Sequence, residues 1–200
     1  MLFLGDGIMH GWESTGQAAF KKHFGTLKTA NFGIETDRTE NLLWRITEGK
    51  ELEGIDPKVV VLMIGTNNIG INRSADIAEG IETIAKSIKT QRPNTQILLM
   101  PLLPRGAHAK DPLRAQSDGV SLPLLARLLN VPGITFRENL GDDFVDAKGD
   151  LKKTLFSDPV HLTPRGYALW AEKIDRDVHL LAEGKTSAGN SKGAKSGDAR

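Results

Sequence analysis

Hydrophobic and polar positions alternate in blocks along this chain. Met1–Leu4 is a short apolar run ended by the turn signal Gly5-Asp6-Gly7. Thr29–Gly33, running into Ile34, is a second strand candidate, closed by Asp37. Val59–Ile64 is unbroken β-branched and aliphatic sequence, as expected of a strand buried on both faces. Gln96–Leu99, stopped by Pro101 and Pro104, and Ile134–Phe136 complete five predicted strands. Helical patterns separate them. Asp37-Arg38-Thr39-Glu40 has capping-box spacing and predicts a helix through Leu42, Leu43 and Ile46. Ser74 is the expected cap of a long helix whose Ile77, Ile81, Ile84 and Ile88 form one core-facing stripe. Leu113–Leu129 reads as a helix interrupted near Gly119 and Pro123. Thr163-Pro164 opens a final helix through Tyr167, Trp170 and Ile174, with a cap followed by proline at the first helical position.

Strands alternating with helices predict an α/β protein, a three-layer αβα sandwich on a mostly parallel sheet. No period of 20–50 residues repeats, which excludes a solenoid. In such sheets ligands bind beyond the carboxyl ends of the strands. Here that means the loops Gly5–Trp12, Ile34–Asp37, Gly65–Ile71 and the stretch around Arg105.

Composition narrows the class. Two hundred residues suit one domain with a sizeable core, and 39% hydrophobic with 26% charged residues is globular usage. No apolar run approaches the ~20 residues of a membrane helix. The chain has no cysteine, which excludes disulfides, thiolate metal sites and a cysteine nucleophile. Met1–Leu4 lack a signal peptide's charged start and long apolar stretch, so a cytoplasmic chain is expected unless its beginning was trimmed. The net charge of +1 is uneven: residues 183–200 carry four basic and two acidic residues, leaving the body at −1. Rich in Gly, Ser, Ala and Lys, that stretch reads as a disordered, solvated basic tail on a domain spanning 1–182, with too few charges to argue for nucleic acid.

Four blocks carry chemistry: Phe3-Leu4-Gly5-Asp6-Gly7-Ile8; Asn31-Phe32-Gly33-Ile34 with Asp37 and Leu43-Trp44-Arg45; Ile64-Gly65-Thr66-Asn67-Asn68; and Asp158-Pro159-Val160-His161-Leu162-Thr163. Together they resemble the GDSL (SGNH) hydrolase superfamily. Within it they are most similar to the catalytic subunits of intracellular platelet-activating-factor acetylhydrolase and their bacterial relatives, a likeness to which Leu102-Leu103-Pro104-Arg105-Gly106 adds. The resemblance implies a flavodoxin-like sheet of order 2-1-3-4-5 and serine-esterase chemistry on a small acyl or acetyl ester. No metal is expected, since the sequence has no His-x-x-x-His, no cysteine and no acids clustered at ligand spacing; no cofactor is expected either, and a homo- or heterodimer stays open. The resemblance makes His161 the general base, Asp158 its orienting carboxylate, and Gly7, Thr36 and Asn67 the oxyanion-hole positions. Outside these blocks, His10, His23, His108 and His179 are expected to be structural.

The chain departs from the family pattern twice. Where the family has its nucleophilic serine, this sequence has Gly7, which has no hydroxyl with which to form an acyl-enzyme. Ser14 and Thr15, in the expected first helix, are too far along to substitute. Where relatives read Gly-Gly, this chain has Glu35-Thr36: a β-branched residue resists the positive φ that glycine accepts, and Glu35 adds a negative charge. An engineered knockout would explain Gly7 but not Glu35-Thr36. The leading expectation is a family member that has lost ester hydrolysis. The alternatives are a slow hydrolase using water activated by His161 and Asp158, and a non-catalytic ligand-binding or partner module.

Overall fold

The computed structural model describes residues 1–185, so residues 186–200 of the expected tail lie outside the described residues. Five strands form one parallel sheet: β1 (Leu2–Gly5), β2 (Ala30–Gly33), β3 (Val59–Met63), β4 (Gln96–Leu99) and β5 (Ile134–Phe136). Their order is β2-β1-β3-β4-β5, with the first strand inside the sheet as expected. The central strands are buried on both faces, β1 and β3 throughout, which is why their sequences are continuous rather than alternating. The helices are α1 (Gly7–His10), α2 (Gln17–Phe24), α3 (Thr39–Ile46), α4 (Ser74–Gln91), α5 (Pro112–Leu128) and α6 (Pro164–Ala182). α2 and α6 pack together, and α3, α4 and α5 pack in succession. This makes the three layers.

Local chemistry moved several helix boundaries. Ser74 is the first residue of α4 rather than its cap, which is Arg73; its hydroxyl instead donates to Gln116 O at 2.8 Å, joining α4 to α5. α3 begins at Thr39, where the Asn41 side chain accepts from Arg38 N at 3.0 Å. Asp37, the expected cap, binds elsewhere. The expected break near Gly119 and Pro123 does not occur, and α5 runs through Pro123. A proline ring crowds the carbonyl four residues earlier, here that of Gly119, whose backbone can tilt to accommodate it. Ser14 and Thr15 occupy a turn ahead of α2, not a helix.

Two features place the strand ends. An aromatic cluster of Phe3, Trp12, Phe20, Phe24, Tyr167 and Trp170 fills the space between β1, α2 and α6, with Trp12 at 4.7 Å from Tyr167 and 5.0 Å from Trp170, ring centre to centre. Gly5 and Gly33 are register partners at the ends of β1 and β2. A Cβ on Gly5 would lie 2.0 Å from Met63 O, and one on Gly33 would lie 2.2 Å from His10 N. The missing side chains let α1 lie directly on the sheet edge. Gly5→Ala should therefore destabilise the protein by about 3 kcal/mol, since rigid backbone must move. Gly25→Ala, where an added Cβ meets nothing within 4 Å, should be neutral or slightly stabilising. Urea denaturation of both variants checks the contrast.

Candidate active site

Gly7 opens α1 immediately beyond β1. Asp6, completely buried, caps that helix: its Oδ1 accepts from Ile8 N at 3.0 Å. Burial pushes the Asp6 carboxyl up to about 7, against the backbone N–H groups of Ile8, Thr66 and Met9, which favour the charged form; the Asp37 charge adds to the rise. Its Oδ2 has no hydrogen-bond partner of good geometry among the described residues.

The loop after β2 sits over Gly7. A Cβ placed on Gly7 would stand 3.4 Å from Glu35 Cα and 3.6 Å from Glu35 Cγ, which is close but tolerable contact. Glu35 also pairs with His10, Nδ1 to Oε1 3.4 Å, so its side chain reaches across the face that Gly7 and His10 share one turn apart. Residues 34–37 form a turn closed by Asp37 N to Ile34 O at 3.3 Å, and Thr36 takes φ +65° there. That conformation belongs to the third position of a type II turn, normally glycine. The strain expected of a threonine at this position is present, while the Thr36 N–H has no hydrogen bond among the described residues.

Asp37 and Arg45 hold this loop in place. The Asp37 carboxylate takes Arg45 Nε at 2.8 Å, with both side chains largely buried. The same guanidinium binds Glu51 and reaches Phe32 O at 3.1 Å and Gly5 O at 3.4 Å, so one side chain ties together the ends of β1 and β2. Asn67, just after β3, donates one amide N–H to Asp37 O at 2.9 Å and keeps a second N–H uncommitted. Its neighbour Asn68 is buried and accepts from Thr39 N at 3.0 Å. Arg105 closes the row, donating to Thr66 O at 2.8 Å.

The Asp158–His161 turn forms as its spacing suggested. Asp158 Oδ1 accepts from Val160 N at 2.7 Å and His161 N at 2.8 Å, while Oδ2 lies 2.7 Å from His161 Nδ1. Partial burial pushes the Asp158 carboxyl up, but the N–H groups of His161 and Val160 and the imidazole outweigh it and hold it below its ordinary value. An ionised partner at Nδ1 favours the tautomer with the proton on that nitrogen, leaving Nε2 as an acceptor. Thr163 caps α6 through Gly166 N, and the Tyr167 hydroxyl donates to Ile8 O at 2.7 Å. The start of α6 is thus bonded to the residue next to Gly7.

Two groups of site residues emerge. Gly7, Thr36 and Asn67 gather at the ends of β1, β2 and β3, and Asp158 and His161 form a hydrogen-bonded pair ahead of α6. His23 and His179 bond within the α2–α6 contact, and His108 pairs with Asp150, as structural histidines would. His10, also expected to be structural, instead lies at the site with Glu35. Sequence reading placed Arg45 in a matching block and Tyr167 on the last helix but missed the Arg45 hub and the Tyr167 bond, because both contacts join segments far apart in the chain. Among the described residues, no three His, Cys, Asp or Glu side chains stand together as metal ligands, and no helix is long and apolar enough to cross a membrane.

Such an all-parallel sheet of order 2-1-3-4-5, covered by helices on both faces, is a flavodoxin-like α/β fold. The chain belongs to the GDSL-like lipase/acylhydrolase family, whose model matches residues 3–169. It is 35% identical over 181 residues to platelet-activating factor acetylhydrolase IB subunit alpha2 of Gallus gallus and of Homo sapiens, covering 90% of this chain and 75% of each relative. The alpha1 subunit of Pongo abelii is 34% identical over 184 residues. Among solved structures, a GDSL-like lipase from Bacteroides thetaiotaomicron superposes with a TM-score of 0.67 at 24% identity, covering 89% of this chain and 86% of that one. A carbohydrate acetylesterase from Sinorhizobium meliloti superposes with 0.65 at 17% identity, covering 90% and 98%. These two likenesses bear on the fold alone.

Two measurements test the site's energetics. Thr36→Asn should stabilise the protein by about 1 kcal/mol, because asparagine tolerates positive φ without glycine's loss of unfolded-state order. Thermal or urea unfolding reads this directly. The raised carboxyl of Asp6 means the folded state holds a proton that the unfolded state releases between about pH 4 and about 7. Its contribution is therefore greatest in acid and is lost as pH rises through that window. Asp6→Asn, which cannot ionise, should gain stability relative to the parent from pH 4.5 to pH 8. A stability difference constant across pH would contradict the assignment.

Proposed function

We propose that this chain binds a small acyl or acetyl ester, or an analogue of one, at the strand-end site, and is inactive or very weak as an esterase. The observation that carries this reading is Gly7: the family's nucleophile position holds no hydroxyl, and no acyl-enzyme can form there. In this reading His161 is the inherited general base and Asp158 its orienting partner. The backbone N–H groups of Gly7 and Thr36 and the free amide N–H of Asn67 are the inherited oxyanion donors. The uncommitted N–H groups on Thr36 and Asn67 support it, and so does the relatives' identity as acetylhydrolase subunits. Glu35 works against stabilising an anion there.

A second reading is favoured by the completeness of the Asp158–His161 pair. An imidazole with Nε2 free could take a proton from a water lodged where a serine hydroxyl would otherwise stand. That would be slow hydrolysis without a covalent intermediate.

Hydrolysis of a nitrophenyl acetate by the unmodified chain should stay near background, and His161→Ala should change it little. Gly7→Ser should gain partial, His161-dependent activity, because an added Cβ fits and Gly7 is not at positive φ. Adding Glu35→Gly and Thr36→Gly should raise kcat further, by up to the ~10²–10³ typical of one oxyanion donor. Strong His161-dependent turnover in the unmodified chain would overturn the inactive reading in favour of the activated-water one.

A further inference from the structure

A cavity of about 350 Å³ opens between α5 and the segments that follow β4 and β5, at the small end of the range of small-molecule sites. Gly7, Thr36, Asn67, Asp158 and His161 take no part in its wall. One side is the α5 face that carries Arg114, Asp118, Ser121 and Leu125, residues three and four apart. Pro104, Leu122, Leu125, Phe136 and Val145 give the cavity a carbon surface, and Leu122 is left 74% exposed there. Against that surface stand the carboxylates of Asp118, Glu138 and Asp142, which accept no hydrogen bond and join no ion pair among the described residues. Arg114, the cation in the wall, is buried and commits its guanidinium to Arg105 O at 2.8 Å and to Gly106 O and Gly149 O at 2.7 Å. Three carboxylates against one guanidinium leave a formal charge of −2 around the cavity. Withdrawal from solvent raises the Asp118 carboxyl above its ordinary value; Arg114 opposes the rise and the Asp142 charge adds to it. A cation placed between Asp118 and Asp142 would relieve that repulsion.

We propose that this cavity binds a small organic cation, a protonated amine on an aliphatic body, with its ammonium among Asp118, Glu138 and Asp142 and its methylenes against Leu122, Leu125 and Phe136. The three carboxylates are not gathered as metal ligands, since no such group of three stands together among the described residues. A compact metal ion would also leave the carbon surface uncovered. A neutral alkyl chain would cover that surface and leave the charges unanswered, and a carboxylate would be repelled by them. An aliphatic ammonium meets both demands. This proposal is independent of the functional reading of the strand-end site.

The test is a titration of the unmodified protein with hexylamine, methylamine, hexanol, hexanoate and magnesium chloride at neutral pH, followed by amide chemical shifts. Hexylamine should bind tightest, with shifts centred on Asp118, Leu122, Glu138 and Asp142, and should weaken as salt is raised. Methylamine, which has the charge without the chain, should bind weaker by on the order of tenfold or more. Asp118→Asn and Asp142→Asn should each weaken hexylamine by about threefold to fivefold, as expected of a solvent-exposed ion pair, and leave hexanol unchanged. Ser121→Trp, which fills the cavity from α5 without altering a charge, should weaken hexylamine by on the order of tenfold. Hexanol, hexanoate, methylamine or magnesium ion binding as tightly as hexylamine would overturn the proposal, and so would shifts centred elsewhere; neither needs a variant. Hexylamine affinity indifferent to the three substitutions would overturn it as well.

Discussion

The bond from the Tyr167 hydroxyl to Ile8 O spans 159 residues of sequence and ties the start of α6 to the turn that begins at Gly7. It fastens the first turn of α6 to the first turn of α1, the one following the Asp158–His161 turn and the other beginning at Gly7. The bond is buried, so the phenol cannot exchange it for water, and burial with the nearby Asp6 charge raises the Tyr167 pKa far above its ordinary value. A phenol that stays protonated keeps donating. Behind it, Trp12 and Trp170 pack against the same ring system and leave α6 little freedom to slide.

On the other side of Gly7 the equivalent task falls to Arg45. Its guanidinium is nearly buried and spreads its donors over Asp37, Glu51 and two strand-end carbonyls. Removing one partner of such a group leaves buried charge uncompensated, which costs far more than the net worth of the pair. The loop between β2 and α3 is consequently over-determined, and this explains how Thr36 persists at positive φ. A strained β-branched residue costs on the order of 1–2 kcal/mol, less than the loop would lose by relaxing away from Arg45 and Asn67.

Much of this architecture was legible in the sequence because it follows from patterning. The continuous apolar run of β3 and the isoleucine stripe of α4 could serve nothing but a doubly covered sheet and its covering helix. Asp158 and His161 were legible because both partners lie in one turn, three residues apart. Helix starts were less so: Ser74 and Asp37 have the chemistry of caps, but tertiary partners, Gln116 O and Arg45, claimed their oxygens. Nor could spacing reveal His10 beside Glu35, a contact that exists only because Gly5 and Gly33 let α1 settle on the edge of the sheet. Thr36 is the reverse case: a β-branched residue resists the positive φ that glycine accepts, yet the loop holds it at φ +65°.

The glycine at position 7 and the geometry around it are governed by different interactions, and that separation gives the proposed reading its physical sense. None of the bonds that shape the site passes through a side chain at position 7. Asp6 caps α1 through its own carboxylate, Asn67 is anchored on Asp37 O, and His161 is held by Asp158. A hydroxyl at position 7 would add an atom to a frame already complete without it. Its absence therefore relaxes nothing: the Asp158–His161 pair and the uncommitted N–H groups of Thr36 and Asn67 are held by bonds that do not involve position 7. Glu35, largely exposed, extends over Gly7 toward His10, so in the proposed reading its negative charge opposes the anion that the site would have to stabilise.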